Sequence, residues 1–96
     1  MSAYLIVDIE VLDPVAYEDY RRDVPAIIAA HGGRYLVRGG AATLLEGDRQ
    51  PQRQVVLEFP TMAQLQAFYD DPAYRPLKEL RQRIARGTLV AVQGMG

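Results

Sequence analysis

Ninety-six residues carry twelve acidic and eleven basic side chains, one histidine and no cysteine, for a net charge of −1: one domain, burying about 60% of its unfolded surface, with no basic patch to meet nucleic acid. Without cysteine there are no disulfides, thiolate nucleophiles or Cys-ligated clusters, and a lone histidine without clustered partners makes no zinc site, so neither metal nor cofactor is expected. The N-terminus has no cleavable leader pattern and the longest apolar run falls far short of the roughly 20 residues of a spanning helix, so a soluble cytoplasmic protein with no membrane partner is expected.

Ala3, Leu5, Val7, Ile9 and Val11 alternate with Tyr4, Ile6, Asp8 and Glu10. This period of two predicts a strand over Ala3–Val11, and because its second face is only partly polar, both faces need cover. Asp13-Pro14 opens a helix, with Asp13 as N-cap and Pro14 at the first helical position, where a missing N–H costs nothing. Tyr17, Tyr20, Val24, Ile27, Ile28 and His31 then fall on one helix face. Pro25 removes a backbone hydrogen bond inside this helix, which predicts a bend near Arg21–Pro25 or two short helices. Gly32-Gly33 end it with a left-handed cap.

Arg34–Arg38 reads as a short strand, Gly39-Gly40 as a turn, and Ala42–Glu46 as a third extended piece. A polar loop, Gly47–Gln52, precedes a strand over Gln54–Phe59. Thr61-Met62-Ala63-Gln64 is a capping box, in which Thr61 and Gln64 satisfy each other's orphan donors. Met62, Leu65, Phe68 and Tyr69 form the apolar stripe of the helix that follows. Asp71-Pro72 interrupts it and recaps a second segment with Ala73, Leu77, Leu80 and Ile84 facing inward, closed by Gly87. Thr88–Gln93 is the last strand.

Strand, helix, strand, strand in two pieces, helix, strand is the split βαβ order of a ferredoxin-like α+β sandwich, an antiparallel sheet with helices on one face. Its helix-free face still needs cover. A second copy of the sheet is the simplest cover, and a thin core in a chain this short points the same way, so the whole of residues 1–96 is expected to be one dimeric α+β barrel domain working as a homodimer.

The stretches YLIVDIEV (Tyr4–Val11), DP with YEDYR (Asp13–Arg21), HGGRYLVRGG (His31–Gly40), VVLEFP (Val55–Pro60) and YDDPAYRPLKELR (Tyr69–Arg81) resemble the bacterial family catalogued as domain of unknown function 1330. The resemblance covers nearly the whole chain and is most specific in HGGRYLVRGG. It implies a ferredoxin-like fold of the dimeric α+β barrel superfamily, whose other members include cofactor-independent monooxygenases, haem-degrading enzymes and isomerases. It implies no particular activity, since the family is itself uncharacterised and fold alone is a weak warrant for chemistry.

Three charges lie inside runs that otherwise read as buried strand: Asp8, Arg38 and Glu58. An ionised group costs several kcal/mol to bury alone, so such charges meet one another or a ligand. In the functional reading Asp8 or Glu58 is a general base and Arg38 orients an anionic group; in the structural reading the three neutralise each other at the strand ends or the dimer seam. Tyr17 and Tyr20 look from the first helix over the sheet and, with Tyr69 and Arg38, make the candidate ligand-binding set, or else core with polar tips. His31, the third catalytic candidate, is either a proton-transfer group or a helix-terminal cap. Gly32-Gly33 and Gly39-Gly40 lack the following helix and residues of a phosphate loop and read as turns. Arg75, Lys78, Arg83 and Arg86 read as a solvated face.

Two functions fit. The first is binding, with cofactor-free transformation as its extension, of a small organic molecule in a pocket between helices and sheet. The second is a non-catalytic structural or regulatory homodimer with a filled core.

Overall fold

The alternating residues of the first strand set the architecture of the computed structural model, which describes residues 1–95. The elements are β1 (Ala3–Val11), α1 (Pro14–Ala30), β2 (Arg34–Arg38), β3 (Arg53–Phe59), α2 (Met62–Tyr69), α3 (Arg75–Ile84) and β4 (Ala85–Gln93). The strands form one sheet in the order β2-β3-β1-β4, antiparallel throughout. With the helices on one face this is a ferredoxin-like α+β sandwich.

Alternation decides the core. Ala3, Leu5, Val7 and Ile9 of β1 and Val55, Leu57 and Phe59 of β3 are buried on the helix side, against Tyr17, Val24 and Ile28 of α1, Leu65 and Phe68 of α2, and Tyr74. On the other side Ile6 faces Val56 and Val90 across the two ladders and stands 41% exposed, with Val90 and Val92 also open. The helix-free face is therefore apolar at its centre and uncovered in the single chain.

Local signals explain most element ends. The Asp13 side chain accepts from the Ala16 N–H at 3.1 Å, and Thr61 Oγ1 accepts from the Gln64 N–H at 3.1 Å. Gly32 takes φ +78° at the end of α1, where a side chain would be strained.

Four expectations are corrected. Ala42–Glu46 is not a strand: the chain from Gly40 to Gln52 is irregular and folds against the helix-free face, where the Gln52 N–H donates to Asp8 Oδ1 at 3.1 Å. Gly87 does not close α3; it lies in β4 opposite Ile9, where a Cβ would collide with the Asp8 carbonyl. The strand therefore begins at Ala85. Asp71-Pro72 does not supply the N-cap of α3, which is Tyr74; Asp71 Oδ1 instead accepts from the Ala73 N–H at 2.8 Å in the connecting turn. Pro25 does not divide α1 into two short helices: helix runs from Pro14 to Ala30. The carbonyl left without its helical partner by Pro25 is that of Arg21, four residues earlier, and Arg38 Nη2 donates to it at 2.8 Å.

Candidate functional site

A half-open cleft enters the core between α1, α3 and the sheet. It encloses about 480 Å³ counted out to its solvent mouth, of which about 40 Å³ is unobstructed, room for two or three waters. Its walls are Leu5, Val7, Ile9, Val55 and Leu57 from the sheet and Val24 and Ile28 from α1, with Phe68 closing one end. Four tyrosines (17, 20, 35 and 74) and four arginines (21, 38, 53 and 81) supply the polar groups.

Arg81 is the most unusual of these. Only 6% exposed, it is the one charged residue buried among the described residues, its Nε has no partner, and no carboxylate pairs with it. It lies on the apolar stripe of α3, four residues after Leu77 and three before Ile84. Burial opposes its charged form, but Tyr74 and Tyr20 beside it outweigh that and hold its pKa above the ordinary arginine value. The Tyr20 and Tyr74 hydroxyls meet at 2.8 Å, joining α1 to the turn before α3. Burial first, and then Tyr74, push the Tyr20 pKa far above the usual phenol range, so Tyr20 stays neutral.

Arg53 enters from the start of β3, on the same face as Val55, Leu57 and Phe59. Its guanidinium lies 5.4 Å from the Tyr17 ring centroid, and its Nε is buried without a partner. Gly39, at φ +73°, lies so close to that guanidinium that a Cβ there would push it aside. Arg38 lies 4.5 Å over the Tyr35 ring, its Nη2 held by the Arg21 carbonyl.

Of the residues expected to form a ligand site, Tyr17, Tyr20 and Arg38 are brought together here. Tyr69 is not: it lines a neighbouring surface groove with Leu65 and Leu89, and Lys78 Nζ sits 4.2 Å over its ring.

Asp8, Arg38 and Glu58 do not form one group. Simple alternation groups Arg38 with Arg34 and Leu36, away from Tyr35, but a bulge at Leu36 shifts the register: Tyr35 pairs with Leu57, Val37 with Val56, and Arg38 with Val55. One extra residue thus turns Arg38 to the helix side. Glu58 stays on the helix-free side, where Arg34 Nη2 meets its Oε1 at 2.7 Å and Tyr4 donates to Oε2 at 3.3 Å. The hydrogen bond from Arg34 leads the causes that lower its pKa below the ordinary 4.5. Asp8, on the same side, pairs with Gln54 in the ladder, while Glu58 pairs with Tyr4.

His31 lies about 20 Å along α1 from Tyr17, at 1.5 Å per residue. Its Nε2 is 2.7 Å from Asp71 Oδ2, and this contact, with the Ala73 N–H second, lowers the Asp71 pKa below its ordinary 3.8. Tyr17, Tyr20, His31 and Asp8 therefore do not converge on one void.

A family model described as domain of unknown function (DUF1330) matches residues 2–95. The chain belongs to this family. Two crystal structures of the RPA0582 protein of unknown function from Rhodopseudomonas palustris, one of them methylated, superpose on this DUF1330 chain with TM-scores of 0.75 and 0.76 at 21% and 20% identity, covering 99% of this chain and 83% and 82% of theirs. The cofactor-independent oxygenase SnoaB from Streptomyces nogalater is similar at TM-score 0.66 and 13% identity, over 99% of this chain and 94% of that one. At these identities the likeness is one of fold. No curated protein matches the chain. Among the described residues of this DUF1330 domain no cluster of His, Asp and Glu side chains suits a metal ion, and no helix is long and apolar enough to cross a membrane.

Sequence reading passed over Arg81, Arg53, Tyr35 and Tyr74. For the two arginines a signal was present: each occupies the apolar phase of its element. Tyr74 lies in the connection before α3, outside any periodic run, and Tyr35 depends on the β2 register.

Proposed function

We propose that this DUF1330 protein binds a small organic molecule in the cleft between α1, α3 and the sheet. One observation carries the reading: the middle of a small core is left open, and the polar groups set into its wall include a buried guanidinium. A domain shaped for stability alone fills such a space, because packing defects and unpaired polar groups both cost stability. A mostly apolar cleft with a few convergent polar groups is the usual form of a small-molecule site. SnoaB, of similar fold, is a cofactor-independent oxygenase; cofactor-free transformation of the bound molecule is the enzymatic extension of this reading, with Tyr17, Tyr20 and Tyr74 as the proton-bearing groups at hand. Asp8, His31 and Glu58 line no part of the cleft.

The second element of the proposal is a homodimer. Ile6, Val56, Val90 and Val92 give the helix-free face an apolar centre, and the neighbouring Leu44-Leu45 stretch of the 40–52 loop stands exposed beside it. A second copy covers both.

Filling the cleft tests the binding reading. Native mass spectrometry of gently purified protein is expected to show a small-molecule adduct that Val24→Phe, which places a ring in the open space, removes without unfolding the domain. An adduct retained in the filled variant would place binding elsewhere, and its absence from the wild-type protein would favour the filled-core structural dimer.

A further inference from the structure

Resting on the cleft as the binding site, we propose that its ligand is a small organic carboxylate, with Arg81 and Arg53 receiving the head group and the rings of Tyr17, Tyr20 and Tyr74 flanking the body. The chain as a whole carries a net charge of −1. Its cleft is the reverse: four arginines line it and, among the described residues, no aspartate or glutamate does.

The four are not equivalent. Arg21 stands at the mouth with Glu18 at 3.4 Å, and Arg38 is committed to the Arg21 carbonyl and the Tyr35 ring. Arg53 and Arg81 lie deeper, each with a buried Nε that donates to nothing. The polar neighbours of Arg81 are phenols, and the Tyr20 and Tyr74 hydroxyls bond each other at 2.8 Å, so they offer it dipoles and no carboxylate charge. An anion does both, satisfying the N–H groups and neutralising the guanidinium.

Size and wall chemistry select the anion. An unobstructed space of about 40 Å³ holds a carboxylate head but little else unless side chains yield. The apolar part of the wall is Leu5, Val7, Ile9, Val55 and Leu57, and a dianion would leave a second charge against it. Aromatic rings stand around the space: Tyr17 and Tyr20 are 5.5 Å apart and Phe68 and Tyr74 4.5 Å, centroid to centroid. A flat or short apolar body suits them.

The test is calorimetric titration of the whole protein with acetate, butyrate and benzoate, each beside its neutral amide, and with inorganic phosphate as competitor. At least one acid is expected to bind at least tenfold more tightly than its amide. Phosphate at equal concentration is expected not to displace it, and Arg53→Met and Arg81→Met are each expected to remove the acid–amide preference. Equal binding of acid and amide would leave the cleft as a binding site and overturn the carboxylate. Displacement by phosphate would overturn it in favour of a general anion site. Binding of no acid and no amide would overturn the carboxylate, while the binding reading stands or falls by the native adduct and its loss in Val24→Phe. Should Arg81→Met fail to fold, the wild-type comparison and Arg53→Met decide the matter.

Discussion

Replacing Arg81 by methionine should make the protein more stable. Arg81 is only 6% exposed, its Nε is orphaned, and no carboxylate offsets its charge. An unsatisfied buried N–H costs about 1–3 kcal/mol, and replacing a buried ion by a well-packed apolar side chain often stabilises by about 1–4 kcal/mol, even though Tyr74 and Tyr20 favour the charged form here. Methionine keeps most of the aliphatic volume and bends to fit irregular space. It creates no new orphan, because the Tyr20 and Tyr74 hydroxyls still satisfy each other at 2.8 Å. The net expectation is a gain of about 1–3 kcal/mol, or about 5–20 °C in Tm at the about 4–8 °C per kcal/mol of a domain this size. Urea unfolding at fixed protein concentration reads it, since the proposed dimer would make the midpoint concentration-dependent. A loss of more than about 1 kcal/mol with an unchanged urea slope would refute the reasoning: Arg81 would then be cement between Tyr74 and Tyr20 and not a charge held ready for a ligand.

Four further outcomes are expected. Ile6→Lys, at the centre of the helix-free face, should convert a dimer into monomers in sedimentation velocity while circular dichroism stays unchanged; a monomeric wild type would remove the basis for the homodimer. Gly39→Ala, at φ +73° and against the Arg53 guanidinium, should cost about 1–2 kcal/mol in urea unfolding and weaken carboxylate binding, and an unchanged midpoint would mean the turn relaxes freely. Because the Asp71 pKa is held below 3.8 by His31, its contribution to stability is complete above that value and is lost as pH falls through the lower folded one; Asp71→Asn should therefore flatten the fall in stability between about pH 5 and about pH 2, and parallel curves would contradict this. Phe68→Ala should lose about 3–5 kcal/mol in the same unfolding assay, since its ring packs on both Phe59 and Tyr74; a loss under about 1 kcal/mol would mean that this end of the core collapses freely.

The fold was legible because its signals are local and repeated. The alternation in β1 and β3, the Asp13 and Thr61 caps and the apolar face of α1 each depend on residues within a turn or two of one another. The site depended on exceptions to those same patterns. Arg81 and Arg53 stand in apolar positions, and a reading that follows hydrophobic residues passes over a charge in their register. Arg38 was singled out for its charge but assigned to the opposite face, because one bulge reverses alternation and nothing in RYLVR marks where a bulge falls. Ala42–Glu46 shows the converse: residues that suit a strand stay irregular, because the chain leaves β2 across the helix-free face, beside Ile6 and Asp8, and does not run along either edge strand, β2 or β4.

The proline in α1 and the bulge in β2 fit like a socket and its plug. Pro25 strips the Arg21 carbonyl of its helical donor, and the bulge at Leu36 swings Arg38 round to supply another. Each irregularity alone is a defect: an unfilled carbonyl in one case, an arginine aimed at a core in the other. Descendants of this chain that regain an ordinary helix at position 25 therefore lose the seat for Arg38, and those that straighten β2 expose a bare carbonyl. The two sites should change together or not at all, and an alignment of the family would show whether they do.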